Sequence, residues 1–467
     1  MVKKLLNGHS KKMLLGFCIY KVVIDFFCIF FPELFPGLSR LGLDISFYNY
    51  MLSWLCFFIV IYLYVSLIFD SDRLKKSFSQ QIVLFLLLLS VIPFFSMYGA
   101  GAISDKCCIY YNVFLYVLLI VWICINHFFY KQKTINRTNT FYGLSISRWK
   151  KYVFVTVGFV TATSIVAIFC CSAGVSAFAV GSNIYEQRAM FRQIMNEMPG
   201  ILVYFISFAN IIEILMLVYC LQIKKYLYAV FWMGVCYMHF SLGADKTIFL
   251  SVIMSLVLYV VVAKITMIRI IAFQVGLIVI CALLSFFDIV FYITSYEQSD
   301  FWLAVNSLGS SLPADLFRRL VFEPAYLQNA YVTFFAERAP NYWGLNTDYS
   351  VGLGLENYMS DVYCNSPLGF ANTGLVGDCF ANMGEYGVIV YPIVLAAILF
   401  CFDFAFRGKD ARIFMGLSLL FVVFLINGML TTVMLTHGGF VMILMLWCFP
   451  YGSDDCEQNN GSTQLNT

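Results

Sequence analysis

The sequence predicts an all-α polytopic membrane protein of about 12 transmembrane helices with a long external loop before the last three. Three observations carry that expectation: the composition, the spacing of the apolar runs and the placement of lysine and arginine. Hydrophobic residues make up 61% of the 467-residue chain and charged residues 12%, with a mean hydropathy of +0.83. Soluble domains carry roughly one-quarter charged residues, so a bilayer is the solvent for most of this chain. The net charge of +3 gathers into no basic stripe, which argues against a nucleic-acid partner.

A membrane span needs about 20 mostly apolar residues. Candidate runs lie near 13–31, 47–69, 80–98, 107–129, 151–171, 199–221, 226–241, 247–263, 270–293, 378–404, 412–428 and 430–450. Basic loops stay cytoplasmic, and the bias here alternates consistently. Lys3, Lys4, Lys11 and Lys12 precede the first run; Arg73, Lys75 and Lys76 follow the second; Lys131, Lys133, Arg137, Arg148, Lys150 and Lys151 lie between the fourth and fifth. Lys224 with Lys225, Lys264 with Arg269, and Arg407, Lys409 and Arg412 continue the pattern, so about 20 of the 29 basic residues fall on one side. Both termini are therefore expected in the cytoplasm. The chain reads as one transmembrane domain over 1–467, with external loops at 172–199 and 294–377 and a disordered cytoplasmic tail at 453–467.

The first run holds Lys21 and Asp25 and lacks a small-residue cleavage site, so it is expected to stay as a span. Most of the sixteen cysteines fall inside apolar runs, where a free thiol is a small hydrophobe. Only Cys107, Cys108, Cys364 and Cys379 are placed near the outer surface. No metal-ligand spacing appears, and nothing calls for a cofactor.

A charge at mid-membrane costs about 2.5–3.5 kcal/mol on insertion scales, so each one needs a partner or a task. Lys21 and Asp25 are four residues apart on one helical face and are expected to pair. Glu213 and Asp288 have no local partner, so each faces a cavity or another helix. Asp245 and Lys246, in SLGADKT, fall on an outer turn, where Lys246 is either a point charge toward phosphate or part of a self-paired solvated turn. His239 and His437 read as packed imidazoles, since no nucleophile signature accompanies either.

Specific residue patterns concentrate in the outer loops. Between Asp315 and Phe335, apolar residues recur at helical spacing and Pro324 breaks the run in two. Such a segment is expected to lie along the membrane with its aromatic face in lipid and Arg318, Arg319, Gln328 and Asn329 turned elsewhere. Arginine suits pyrophosphate because its planar fork makes two parallel charge-assisted bonds, although arginines at this depth also snorkel to lipid headgroups. In the 172–199 loop, Arg188 and Arg192 share a helical face, as a second phosphate clamp or as a solvated face paired with Glu186 and Glu197. Asn372, Gly374, Gly377, Asp378, Asn382, Gly384 and Gly387 lead into the 378–404 run, a composition suited to sugar hydroxyls or to close helix packing.

RRLVFEPAYLQNAYVTFF at 318–335 resembles a segment of the Wzy-type polymerases of O-antigen and capsule repeat units, at Arg319, Leu320, Val321, Pro324, Tyr331 (one place late), Phe334 and Phe335. FANTGLVGDCFANMGEYG at 370–387 is similar to a second segment of that family, and ADKT at 244–247 to its Lys-Thr turn. The resemblance implies an architecture like that of membrane-embedded C-type glycosyltransferases in a bacterial inner membrane. It implies transfer of a glycan from undecaprenyl pyrophosphate onto another lipid-linked repeat unit, without metal or cofactor. Arg319 would then hold the leaving pyrophosphate, with Arg318, Arg188, Arg192 or Lys246 as second contacts and Glu323 or Asp378 as the base. Asn329, Tyr331, Asn372 and Asn382 would meet sugar. Membrane lipids and a chain-length regulator are the other partners it implies. Two rivals stand beside this reading. A lipid-linked oligosaccharide flippase would concentrate polar residues along a central cavity. A membrane O-acyltransferase would require a working histidine, for which His239 and His437 are the candidates.

Overall fold

The computed structural model describes residues 8–30, 45–65, 77–133, 146–170, 200–243, 318–346, 355–362, 371–407, 409 and 411–449, with isolated positions at 252, 255, 256, 272 and 276. Every regular element among the described residues is helical. In chain order the α-helices are α1 (Gly8–Phe30), α2 (Phe47–Leu63), α3 (Phe78–Leu86), α4 (Ile92–Gly99), α5 (Asp105–Lys133), α6 (Ile146–Cys170), α7 (Gly200–Gln222) and α8 (Tyr226–Gly243). They continue as α9 (Glu323–Phe335), α10 (Leu355–Val362), α11 (Gly374–Met383), α12 (Gly387–Phe406), α13 (Ala411–Asn427), α14 (Leu430–Leu435) and α15 (Gly439–Cys448).

Among the described residues five helical stretches are long and apolar enough to cross a membrane: Phe78–Gly99, Asp105–His127, Gly200–Gln222, Gly374–Phe406 and Leu430–Cys448. They coincide with the apolar runs expected near 80–98, 107–129, 199–221, 378–404 and 430–450. The runs near 13–31, 47–69, 151–171, 226–241 and 412–428 are helical as α1, α2, α6, α8 and α13. Apart from isolated positions, the runs at 247–263 and 270–293 lie outside the described residues, as do Asp288, the 172–199 loop and the 453–467 tail. Outward faces are apolar: Leu15, Ile19, Val22 and Phe26 are exposed along α1, and Ile389 and Ile393 along α12. Contiguous greasy faces of this kind belong in lipid.

The stretch Phe78–Gly99 is the axis of the bundle, with every residue buried. A largely apolar helix buried on every side is enclosed by other helices, which suits a central membrane span. Helices α1 and α2 pack on α4, α13 and α12 pack on α3, and α5 lies along α12. Pro93 interrupts the axis, because its ring displaces the carbonyl four residues back and it donates no hydrogen bond. The chain answers with a π-helical turn at Leu87–Val91, and the Leu88 carbonyl there accepts a 2.9 Å hydrogen bond from the Tyr20 hydroxyl. At the start of α3, the Asp403 carboxylate from α12 accepts hydrogen bonds from Ser77 Oγ (3.0 Å), the Ser79 amide (2.9 Å) and the Ser79 hydroxyl. An anion at a helix N-terminus satisfies orphan amides and meets the positive end of the dipole.

The Lys21–Asp25 pair forms as expected. Lys21 Nζ lies 2.9 Å from Asp25 Oδ1 and 3.4 and 3.5 Å from the hydroxyls of Ser53 on α2 and Ser96 on α4. The ammonium also sits 4.8 Å from the ring centroid of Trp54, so a charge buried between three helices is enclosed by acceptors and a π face. Cys107, Cys108 and Cys379 are buried free thiols.

Candidate functional site

The segment 318–335 does break at Pro324. Arg318–Phe322 forms a π-helical turn, and α9 begins at Glu323 with Pro324 in its first turn, where a missing amide hydrogen is tolerated. The expectation that its aromatic face lies in lipid is corrected: Tyr331, Phe334 and Phe335 are buried, and α9 packs on α11, α5 and α4. Only Thr333 on the body of α9 is exposed, so protein surrounds almost the whole helix.

The partner that covers α9 is α11. Gln328 Oε1 accepts a hydrogen bond from the Val376 amide at 3.2 Å, and the Tyr331 hydroxyl donates to the Ala371 carbonyl at 2.7 Å. Gly374 has φ +63, and a Cβ there would stand 3.0 Å from Gln328 Cγ and from the Ile426 carbonyl oxygen. A Cβ on Gly377 would stand 3.3 Å from Tyr331 Cβ. These glycines therefore serve close approach of two helices. The two segments read as motifs, separated by 34 positions in the chain, form one interlocked unit.

Asp378 lies at the centre of this unit and is 1% exposed. Oδ2 accepts the Leu430 amide at 2.7 Å, capping α14, while Oδ1 accepts Asn382 Nδ2 at 2.7 Å and the Tyr391 hydroxyl at 3.5 Å. Asn382 is also fully buried, and its Oδ1 accepts the Trp343 amide at 2.8 Å. A carboxylate with three donors and an amide bonded at both ends hold structure together. Asp378, expected as a base, has both carboxylate oxygens engaged by protein donors, and Asn382 and Tyr331, expected to meet sugar, bond to protein partners.

The other expected residues fall as follows. Arg319 is exposed on the π-helical turn, and Glu323 is half-buried four residues later. Asn329 is half-buried, and its Oδ1 accepts from the amide (3.1 Å) and hydroxyl (2.8 Å) of Ser104, pinning the turn between α4 and α5. Asn372 is half-buried with Nδ2 3.3 Å from Asn427 Oδ1. The side chain of Arg318, and Arg188, Arg192 and Lys246 entirely, lie outside the described residues.

No family model, curated protein or solved structure matches this chain, so the site rests on its own geometry. That geometry adds a carboxylate the sequence reading passed over. Glu356, on α10, is half-buried, and burial pushes its carboxyl up to about 7. Its carbonyl accepts the Ala371 amide at 3.0 Å, so it is fastened beside the start of α11, and the Asp378 carboxylate feels its charge. A carboxyl titrating near neutrality is suited to proton transfer, and no motif marks it because the effect comes from three-dimensional burial.

A second polar constellation spans three other helices. Glu213 on α7 and His239 on α8 approach to 2.5 Å at Nδ1, and His239 Nε2 lies 3.1 Å from Ser164 Oγ on α6. Glu213 thus finds a partner on a neighbouring helix, and His239 has the serine neighbour that no local signature announced. The Ser164 hydroxyl also lies 2.7 Å from the Val160 carbonyl of its own helix, so that carbonyl and the imidazole compete for its single hydrogen.

Proposed function

We propose that this chain polymerises lipid-linked oligosaccharide repeat units into O-antigen or capsular polysaccharide. The reaction transfers a glycan from undecaprenyl pyrophosphate to the hydroxyl of a second lipid-linked unit at the outer face of a bacterial inner membrane. The observation that carries this reading is the interlocked α9–α11 unit: both segments that resemble the polymerases are parts of one site. In the proposed architecture about twelve helices cross the bilayer, both termini are cytoplasmic and the unit joins the long external loop, which holds α9, to the start of the stretch Gly374–Phe406, which holds α11.

The roles follow from placement. Arg319, displayed on the π-helical turn, binds the leaving pyrophosphate through its fork. Arg318, Arg188, Arg192 and Lys246 are the candidate second cations. Glu356 or Glu323 takes the proton of the acceptor hydroxyl, since both are half-buried and outside the Asp378 network. The anomeric carbon–oxygen bond to pyrophosphate breaks as the new glycosidic bond forms, and the electron pair leaves with the phosphate. Deleting the gene tests the reading: surface glycan should collapse from a ladder to single capped repeats. Loss of all repeats would instead indicate a flippase, and an intact ladder would indicate neither.

One observation favours a second reading. The Ser164–His239–Glu213 chain orders a serine, an imidazole and a carboxylate as an acyl transferase would. Against it, the serine hydroxyl has a competing acceptor in the Val160 carbonyl of its own helix and the serine is buried. If acyl transfer is the activity, His239→Ala will abolish O-acetylation of the surface glycan while the ladder persists.

A further inference from the structure

Beyond α9 the chain makes a turn whose backbone is unusual. Tyr342, Trp343 and Gly344 have φ values of +48, +57 and +87, three consecutive residues in the left-handed region. Glycine occupies that region freely, but bulky aromatic residues avoid it, and two in succession persist only where surrounding bonds impose them. Those bonds are present. The Asn341 amide donates to the Ala381 carbonyl at 2.7 Å, the Trp343 amide to Asn382 Oδ1 at 2.8 Å, and the Gly344 and Asn346 amides both to the Asn341 carbonyl at 3.1 Å. Asn382 is held in turn by Asp378, so the buried network described above terminates on this turn.

The imposed conformation sets the indole of Trp343 parallel to the Tyr391 ring, at an interplanar angle of 7° with centroids 6.3 Å apart, while the side chain stays 50% exposed. A tryptophan recruited only for packing would be covered. One recruited only to sit at the headgroup level needs no left-handed backbone, since ordinary helix ends place such residues. What the turn achieves is a fixed, half-exposed indole lying parallel to the buried Tyr391 ring. The open face of an indole carries the negative part of its quadrupole, which attracts the slightly positive C–H groups on the apolar face of a pyranose ring.

Resting on the polymerase reading, we infer that Trp343 is a saccharide-stacking residue that seats a sugar ring of the lipid-linked glycan, and that Asn382 and Asp378 position it. The test uses the full chain in nanodiscs of phosphatidylethanolamine and phosphatidylglycerol, labelled with fluorotryptophan, with Trp343→Phe identifying the Trp343 fluorine resonance. Repeat-unit oligosaccharide, released from the host's own surface glycan by mild acid, is the probe. The Trp343 signal should shift saturably; Trp343→Ala should weaken saccharide binding about tenfold and Trp343→Phe much less, as expected for loss and retention of one aromatic face. A Trp343 signal unmoved by the oligosaccharide, or broadened by doxyl-labelled lipid, would overturn the assignment and make the residue a bilayer anchor. That failure is separable from failure of the polymerase reading, because the gene-deletion ladder reports the latter without reference to Trp343.

Discussion

Charged groups meet opposite fates in two regions of this molecule. In the apolar body, Lys21 is enclosed by Asp25, Ser53, Ser96 and the face of Trp54, so its charge is satisfied entirely by protein. In the α9–α11 region, Arg319 is displayed at the surface and Glu356 is held half-buried at the edge of the unit. Each region holds one basic and one acidic residue; what differs is whether the fold closes around the charge or leaves it at the surface. A charge closed in by the fold supports structure, and on the proposed reading the one at the surface meets substrate.

The sharpest way to break that comparison is at the closed pair. Asp25→Leu alone leaves an unpaired ammonium among apolar side chains and should destabilise the protein by about 3–5 kcal/mol. Lys21→Met with Asp25→Leu removes both charges and should recover most of that loss, as read by thermal unfolding in detergent and by membrane protein level. Equal loss of glycan from the singles and the double at normal protein level would show that these charges do more than hold helices.

At the displayed arginine the expected effect is on rate rather than stability. Arg319→Ala should fold and insert normally yet lose polymerisation by about 3 kcal/mol in activation free energy, leaving single-repeat glycan on a ladder gel. Arg319→Lys should lose much of it as well, because a lysine keeps the charge without the two parallel bonds. Unchanged ladders from a well-expressed Arg319→Ala protein would pass the pyrophosphate role to Arg188, Arg192 or Lys246.

The comparison also explains what could be read from the sequence. Apolar runs marked the spanning helices, and the four-residue spacing of Lys21 and Asp25 marked their pairing, because both signals are local. Pro324 marked the break before α9 for the same reason. The burial of Tyr331, Phe334 and Phe335 was not legible, since an amphipathic pattern does not reveal whether lipid or another helix covers its apolar face. Nor was the locking of Asp378 and Asn382, whose donors Leu430, Tyr391 and Trp343 come from other parts of the chain. Glycines at 374 and 377 carried the signal of close packing, which pointed toward this outcome more directly than toward sugar.

Glu356 offers a smaller and pH-dependent test. Its carboxyl titrates at about 7 instead of the ordinary 4.5 because burial disfavours the anion. As a base it must be deprotonated, so activity should fall about tenfold between the plateau above pH 7 and pH 6. Stability should run the other way. The folded state holds this proton more tightly than the unfolded state, so the contribution is fully present below pH 4.5 and is lost as pH rises through about 7. Glu356→Gln should flatten both curves and lower the plateau rate. A pH profile identical to wild type would return the base role to Glu323.

The smallest effect is the most discriminating for the interior of the unit. The Tyr331 hydroxyl donates to the Ala371 carbonyl within a fully buried contact, so Tyr331→Phe removes one hydrogen bond and leaves one acceptor unsatisfied. Such a loss typically costs about 1 kcal/mol of stability, visible as a modest fall in unfolding temperature. If Tyr331 holds α9 to the start of α11, polymerisation by the folded protein should be unchanged, because the ring still fills its site beside Gly377. If the hydroxyl instead contacted a sugar, stability would be untouched and ladder length would shorten. Measuring both on one preparation separates a residue enclosed by the fold from one presented by it, at the position where the sequence pointed to sugar and the structure shows a buried contact between helices.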